Sequence, residues 1–100
     1  MTTQLRTYTI APGRLDEWVG RWRAEVVPLR RRYGFRIPAS WVDRVAGQHL
    51  WVVEYPGPGS FEEANARYWA SPERTAMRLD PADFLVAEQI RVVDPVQLPG

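Results

Sequence analysis

The first third of the chain changes its hydrophobic period once, and this change constrains the fold more than any other feature. Residues 3–10 alternate in polarity, which predicts a β-strand, and Pro12 and Gly13 end that strand. Residues 15–33 then repeat apolar side chains every three or four positions, which predicts an amphipathic helix. The apolar stripe of this helix comprises Leu15, Trp18, Val19, Trp22, Val26, Leu29 and Tyr33. The helix is expected to fold back and cover one face of the strand.

Prolines and glycines mark where the next elements begin and end. Pro28 is expected to kink the helix or loosen its last turns, and Gly34 is placed to end it. Residues 35–45 and 48–55 both alternate as strands, and the short turn between them predicts a hairpin. Pro38 assigns the first of these strands to a sheet edge, because proline cannot donate a ladder hydrogen bond. One side of that strand is expected to carry Phe35, Ile37, Ala39, Trp41 and Asp43.

Two capping signals follow the hairpin. Ser60, with Glu63 three residues later, forms a capping box and predicts a second helix that runs to about Ala70. A new N-cap at Ser71, followed directly by proline, predicts a short additional helix that ends near Leu79.

The predicted element order is β-α-β-β-α-β, completed by a strand at 85–93 and followed by a tail from about residue 95. Short connections and right-handed crossovers favour a ferredoxin-like α+β fold, a four-stranded antiparallel sheet with both helices on one face. Residues 1–100 are expected to form a single domain. The open sheet face is expected to carry Leu5, Thr7, Thr9, Leu50, Val52 and Val93. Because this face is large and apolar for a monomer, we expect a homodimer that closes sheet against sheet.

Composition and charge argue against several classes of function. The net charge is +1, every basic residue is arginine, and the chain has no cysteine and one histidine. We therefore expect no nucleic-acid partner, and interpret Arg30, Arg31 and Arg32 as cations at the negative end of the helix dipole. The lack of cysteine and the single histidine argue against a metal site. No segment is long and apolar enough to predict a membrane span, so a cytoplasmic protein is expected.

Arg6 and Tyr8 are the first candidates for catalytic chemistry. They share the strand face that should meet the helix, where Arg6 would hold an anion or carbonyl and Tyr8 would transfer a proton. The alternative is that Arg6 pairs with a glutamate and Tyr8 belongs to the core. His49, on the third strand, has an ordinary pKa that suits general acid–base catalysis, or it is a satisfied structural histidine.

Five tryptophans in 100 residues suggest an aromatic wall. Trp18, Trp22 and Trp51 should converge between the first helix and the sheet, where a flat aromatic ligand could lie between them. Tyr55 and Trp69 complete the set of predicted substrate contacts. The alternative is that these rings are ordinary core or dimer contacts.

Residues 4–15, with the sequence QLRTYTIAPGRL, and the following helix with Trp18 and Trp22 resemble the opening of NIPSNAP-family domains. These domains belong to the dimeric α+β barrel superfamily. The superfamily includes cofactor-independent monooxygenases, polyketide cyclases, haem-degrading enzymes and lactone isomerases. The resemblance implies a homodimer with a substrate cavity inside each protomer, between the sheet and its helices.

A second local resemblance covers residues 68–74, with the sequence YWASPER. It is similar to a segment in which related cyclases carry a tyrosine, a proline and a catalytic histidine. Tyr68 and Pro72 match that pattern, whereas Arg74 stands at the histidine position and argues against histidine-driven cyclisation there. The resemblance implies that Tyr68 donates a proton and Arg74 holds a carboxylate or enolate. In the alternative, Tyr68 belongs to a buried helix stripe and Arg74 is a solvated charge.

These observations favour a small-molecule enzyme that uses neither metal nor organic cofactor. It would cyclise, isomerise or oxygenate a hydrophobic aromatic or polyketide-like substrate, with Tyr8 and His49 transferring protons and Arg6 and Arg74 stabilising charge. The alternative is a non-catalytic dimeric ligand-binding or interaction module whose pocket is filled by its own tryptophans. A cavity too small for an aromatic ring in the ligand-free protein would overturn the enzyme interpretation.

Overall fold

The computed structural model describes residues 1–100, which form four strands and several helical segments. The strands are β1 (Thr2–Ile10), β2 (Arg36–Asp43), β3 (Gln48–Tyr55) and β4 (Leu85–Val93). A continuous helical stretch after β1 consists of α1 (Leu15–Arg21), a π-helical turn (Trp22–Val26) and α2 (Val27–Arg32). After β3 come α3 (Phe61–Ala70), α4 (Pro72–Ala76) and a 3₁₀ turn (Pro81–Asp83).

The strands form one antiparallel sheet in the order β2-β3-β1-β4, so the predicted ferredoxin-like α+β fold is confirmed. The two central strands place the candidate residues side by side. Arg6 lies opposite Trp51, and Tyr8 lies opposite His49. Because side chains alternate along a strand, all four belong to the face that the helices cover.

Pro28 disturbs the first helix as its chemistry predicts, and the disturbance is a π-helical turn that lies just before the proline. The backbone N–H of Val27 bonds to the carbonyl of Trp22, which is the i to i+5 pattern of a π-helix. Pro28 carries no N–H and its ring would clash with the carbonyl four residues earlier, so the α-helical ladder cannot continue unchanged. The local widening changes which side chains of the next turn face the sheet.

Both predicted capping signals are confirmed. The Glu63 backbone N–H donates to Ser60 Oγ at 3.0 Å, and the Ser60 N–H donates to Glu63 Oε1 at 3.2 Å. The Arg74 backbone N–H donates to Ser71 Oγ at 3.0 Å and begins α4. This helix ends at Ala76, earlier than predicted, and Leu79 is buried in the core beyond its end.

The prediction that the side chains from Phe35 to Asp43 at alternate positions share one face of the sheet is wrong at the start of β2. The register between β2 and β3 is irregular from Arg36 to Ala39, around Pro38. Phe35, just before β2, is buried in the core, whereas Trp41 lies opposite Leu50 on the open face of the sheet. A bulge of this kind moves the following residues to the opposite side of the sheet, and a simple alternation cannot foresee it.

The core lies between the sheet and the helices and is rich in aromatic rings. Its buried members include Trp18, Trp22, Phe35, Trp51, Tyr55, Phe61, Tyr68 and Phe84. The opposite face of the sheet has no helix on it and carries the partly buried Leu5, Leu50 and Val52. None of the helices combines the length and apolar character that crossing a bilayer requires.

Candidate functional site

A small cavity lies between the helix-covered face of the sheet and the helices. The sheet contributes Arg6, Tyr8 and Trp51, and the first helical stretch contributes Trp18, Trp22, Val26 and Arg30. The second half of the chain contributes Tyr68, Trp69, Arg74 and Pro81. Eight of the ten predicted site residues therefore line one cavity. The other two, His49 and Tyr55, do not line it.

Arg6 and Tyr8 are linked to each other, as their positions two residues apart on one strand face allow. Arg6 Nη1 donates to Tyr8 Oη at 3.2 Å, and Arg6 Nε and Nη2 both donate to Gln4 Oε1. The Arg6 guanidinium also lies 5.3 Å from the centre of the Trp51 ring. The glutamate partner considered for Arg6 is therefore absent, and its hydrogen-bond partners Gln4 and Tyr8 are neutral groups.

Arg30 is a cavity residue that the sequence reasoning missed. It lies in the last turn of α2, as its interpretation as a cation at the helix end requires, but it is 2% exposed and belongs to the core. Arg30 Nη1 donates to Asn65 Oδ1 at 2.7 Å, and the guanidinium lies 4.0 Å from the centre of the Tyr68 ring. Its spacing of four residues from Val26 and eight from Trp22 was the available signal, because residues at this spacing share a helix face.

Arg74 and Tyr68 enter the cavity from the junction of α3 and α4. Arg74 is 6% exposed, so the alternative of a solvated charge is wrong for this residue. Its guanidinium lies 4.3 Å from the centre of the Trp69 ring. Tyr68 lies on the buried side of α3, and Trp69 is partly exposed at the edge of the cavity.

The three buried arginines lack acidic partners. The ion pairs of the protein join Arg14 to Glu17, Arg21 to Glu25 and Arg44 to Asp16, all away from the cavity. Each buried guanidinium lies instead over an aromatic ring, an interaction worth about 2 kcal/mol when desolvated. Removing an ion from water costs several kcal/mol, so these rings offset only part of the cost.

This electrostatic imbalance is visible in the pKa values. Burial, followed by the charge of Arg6, lowers the pKa of Arg30 to about 10, while Tyr68 and Tyr8 oppose the shift. Burial raises the pKa of Tyr68, and the charges of Arg30 and Arg74 act in the opposite direction. At neutral pH Arg30 therefore carries its charge inside the protein, and Tyr68 is a neutral phenol that can donate a hydrogen bond.

Three tryptophans form the aromatic wall of the cavity. Trp22 and Trp51 pack edge to face with their ring centres 5.3 Å apart, and Trp18 packs against Tyr8 at 5.8 Å. Trp22 and Val26 both belong to the π-helical turn, a type of segment frequent at functional sites. The predicted convergence of the indole rings is confirmed.

His49 lies next to this wall rather than in the cavity. Its side chain is fully buried, Trp18 Nε1 donates to its Nδ1 at 3.0 Å, and its Nε2 lies 2.8 Å from Ser40 Oγ. An indole N–H can only donate, so Nδ1 must accept, and the neutral ring carries its proton on Nε2. Burial lowers the pKa of His49 to about 4. This geometry supports the structural alternative for His49 and gives no support to proton transfer.

Tyr55 also has a structural environment. Its hydroxyl donates to the Pro58 carbonyl at 2.9 Å and accepts from Arg67 Nη2 at 3.2 Å. These bonds hold the loop between β3 and α3 against the end of the sheet. The ring packs on Phe35, with the ring centres 5.3 Å apart.

The cavity volume is about 20 Å³. A space of this size holds about one water molecule or one to two oxygen atoms, and it is too small for an aromatic ring. The side chains that line it therefore nearly fill it. No group of three or more histidine, cysteine, aspartate or glutamate side chains comes together as a metal site.

The fold and the site together define a ferredoxin-like α+β domain with a small, cation-lined cavity between its sheet and its helices. A family model described as NIPSNAP matches residues 3–99. The chain therefore belongs to the NIPSNAP family, as the resemblance in its opening residues predicted.

Solved structures show the same fold at low sequence identity. An uncharacterized NIPSNAP domain protein from Burkholderia xenovorans superposes with a TM-score of 0.82 at 18% identity, covering 100% of this chain and 99% of its own. A NIPSNAP family protein from Agrobacterium tumefaciens gives 0.82 at 14% identity, with coverages of 95% and 92%. An antibiotic biosynthesis monooxygenase gives 0.63 at 18% identity, with coverages of 97% and 100%. No protein sequence of curated function matches the chain.

Proposed function

We propose that this NIPSNAP domain is a small-molecule enzyme that uses neither metal nor organic cofactor. Its substrate would be a hydrophobic aromatic or polyketide-like compound that enters between the sheet and the helices. The observation that carries the proposal is the convergence of two phenols and three guanidinium groups on one cavity with indole walls. Polar groups that converge inside an apolar wall are typical of ligand sites.

The chemistry of these groups suits a substrate that forms an enolate. Arg6 donates to Tyr8 Oη, so the Tyr8 hydroxyl hydrogen is free to donate to a substrate oxygen. Negative charge that develops on that oxygen would be stabilised by the buried arginines, whose effect is large because water is excluded. A substrate able to stabilise its own carbanion then needs placement and proton transfer, leading to cyclisation, isomerisation or oxygenation. The fold shared with an antibiotic biosynthesis monooxygenase is compatible with the last of these.

The volume of about 20 Å³ rules out turnover of a ring inside the cavity as it stands, so the enzyme requires that the cavity widen before a ring enters. Trp69 is 45% exposed and lies at the cavity edge, next to the five-residue helix α4. Short, exposed segments of this kind open at low free-energy cost. We therefore assign substrate entry to the region of Trp69 and α4.

A substrate panel with tyrosine variants tests this proposal. Anthrones, naphthols and aromatic 1,3-diketones are incubated with purified protein, and products are followed by mass spectrometry and oxygen uptake. Tyr8→Phe and Tyr68→Phe are expected to lower kcat/KM by roughly 100-fold while the far-UV spectrum stays unchanged. Tyr33→Phe is the matched control, because Tyr33 bonds to Glu73 outside the cavity. Full activity in both cavity variants would remove the assigned roles.

The size of the cavity favours a second candidate, a non-catalytic module that binds ligands or partners. Its pocket would be filled by its own tryptophans, as the volume of about 20 Å³ suggests. This candidate predicts no turnover of any panel compound and no change in the positions of Trp22 and Trp51 with ligand. Tryptophan fluorescence that shifts on ligand addition, together with product formation, would exclude it.

We further propose a homodimer formed through the open sheet face. The face carries Leu5, Leu50 and Val52, and Trp41 next to them is 55% exposed. Leu50→Glu would place a charge at the centre of this interface and is expected to give a monomer in light scattering coupled to size-exclusion chromatography. Val86→Glu, on the edge strand β4, is the control and should leave the mass unchanged. A monomeric wild-type protein would refute the dimer.

A further inference from the structure

Buried N–H donors without partners are concentrated at one place in the molecule. The buried side-chain polar atoms that lack a hydrogen-bond partner are Trp22 Nε1, Arg30 Nε, Trp51 Nε1 and Arg74 Nε. All four belong to residues that line the cavity between sheet and helices. Buried polar groups in native proteins are nearly always bonded, so four such donors at one site need an explanation.

The same cavity carries positive charge and no negative charge. Arg6, Arg30 and Arg74 are 6%, 2% and 6% exposed, and no carboxylate lies within 4.0 Å of any of them. No aspartate or glutamate is among the lining residues, and the acceptors there are phenol oxygens. A folded chain gains nothing by gathering three unpaired charges in its core. The unpaired positive charges and the unpaired N–H donors thus both indicate a negatively charged ligand that accepts hydrogen bonds.

We propose that the cavity is a binding site for the anionic oxygen of a small organic acid, either a carboxylate or an enolate. An oxyanion accepts several hydrogen bonds at once, and its charge would compensate the three guanidinium groups. The volume of about 20 Å³ accommodates one to two oxygen atoms and excludes a ring, so the charged end of the ligand enters first.

A neighbouring groove can hold the rest of the ligand. A shallow depression of about 280 Å³ shares Trp69 and Arg74 with the cavity, and its remaining lining residues are Thr75, Met77, Leu79 and the acidic Asp80. Arg74 thus lies between the inner cavity and an outer surface that is partly apolar. Before the cavity widens, this arrangement places the oxyanion inside and an uncharged aromatic or aliphatic body outside, because Asp80 would repel a second negative charge in the groove.

This assignment deepens the proposed function, since it concerns the same site and names the chemical class of its ligand. It gives Arg30, which the sequence reasoning missed, a role in specificity for charge. Anion binding and turnover are separate measurements, so either can fail without the other.

Thermal unfolding with matched probes tests the site in the wild-type protein. Sodium benzoate and 1-naphthoate are compared with benzamide, inorganic phosphate and sodium chloride at equal ionic strength. A carboxylate at a hundred times its Kd is expected to raise Tm by roughly 10 °C or more, and benzamide is not. Equal shifts with benzamide or chloride, a larger shift with phosphate, or no shift with either carboxylate would overturn the proposal.

Arginine variants locate the binding. Arg30→Met and Arg74→Met remove one cavity charge each at nearly constant volume and are expected to weaken carboxylate binding at least tenfold in calorimetry. Arg31→Met and Arg78→Met remove exposed arginines from the same segments and should bind like the wild-type protein. Should one cavity variant fail to fold, the other still decides. Unchanged affinity in a folded cavity variant would contradict the site.

Discussion

Acidification is expected to destabilise this protein through its single histidine. His49 is fully buried, its ring neighbours are Tyr8, Trp18, Trp22 and Trp51, and burial lowers its pKa from 6.5 to about 4. In the unfolded chain the imidazole binds a proton below its ordinary pKa, whereas in the folded protein it stays neutral until the pH approaches 4. The stabilising contribution is therefore complete above about pH 6.5 and is lost as the pH falls towards 4.

The size of the effect follows from the same two pKa values. Each pKa unit corresponds to about 1.4 kcal/mol, so the full difference between 6.5 and about 4 is worth about 3 kcal/mol. Between neutral pH and about pH 5 the expected loss from this residue is about 2 kcal/mol. For a domain of this size that is a large part of the total stability.

Urea unfolding at about pH 7.5, 6 and 5 measures this loss. With a slope near 1 kcal/mol/M, the midpoint is expected to move by roughly 1 to 2 M. His49→Asn provides the control, because its amide oxygen can still accept from Trp18 Nε1 and no imidazole remains in the chain. The wild-type and variant curves should therefore diverge as the pH rises from 5. A His49 pKa near 6.5 by NMR, or parallel pH profiles, would refute the argument.

The structure supports further predictions about stability. Arg30→Met should leave the free energy of unfolding unchanged or raise it by up to about 3 kcal/mol in the absence of ligand, because it removes a charge whose burial depresses its pKa to about 10. A loss of 3 kcal/mol in urea unfolding, relative to Arg31→Met, would instead make Arg30 a structural requirement. Ser60→Ala should cost about 1 kcal/mol, since it removes the cap of α3, while Thr75→Ala on the surface of α4 should be nearly neutral.

Local rules predicted most of the elements, and their failures have identifiable causes. Capping residues act within one turn, so Ser60 and Ser71 were placed correctly from sequence. The change of face in β2 depends on how a proline is accommodated against a neighbouring strand, which the alternation in one strand does not contain. The structural role of His49 could not be predicted from local patterns either, because its hydrogen bonds to Trp18 and Ser40 join three separate elements.

The amino-acid sequence by itself determined the order of the elements, the family, and the face shared by Arg6 and Tyr8. These follow from periodicity and short motifs, which are local properties of the chain. Only the tertiary structure decided that Arg30 and Arg74 are buried without a carboxylate and that the side chains leave a cavity of only about 20 Å³. The charge balance of a site is a sum over residues distant in sequence, and it becomes defined only when the helices pack on the sheet.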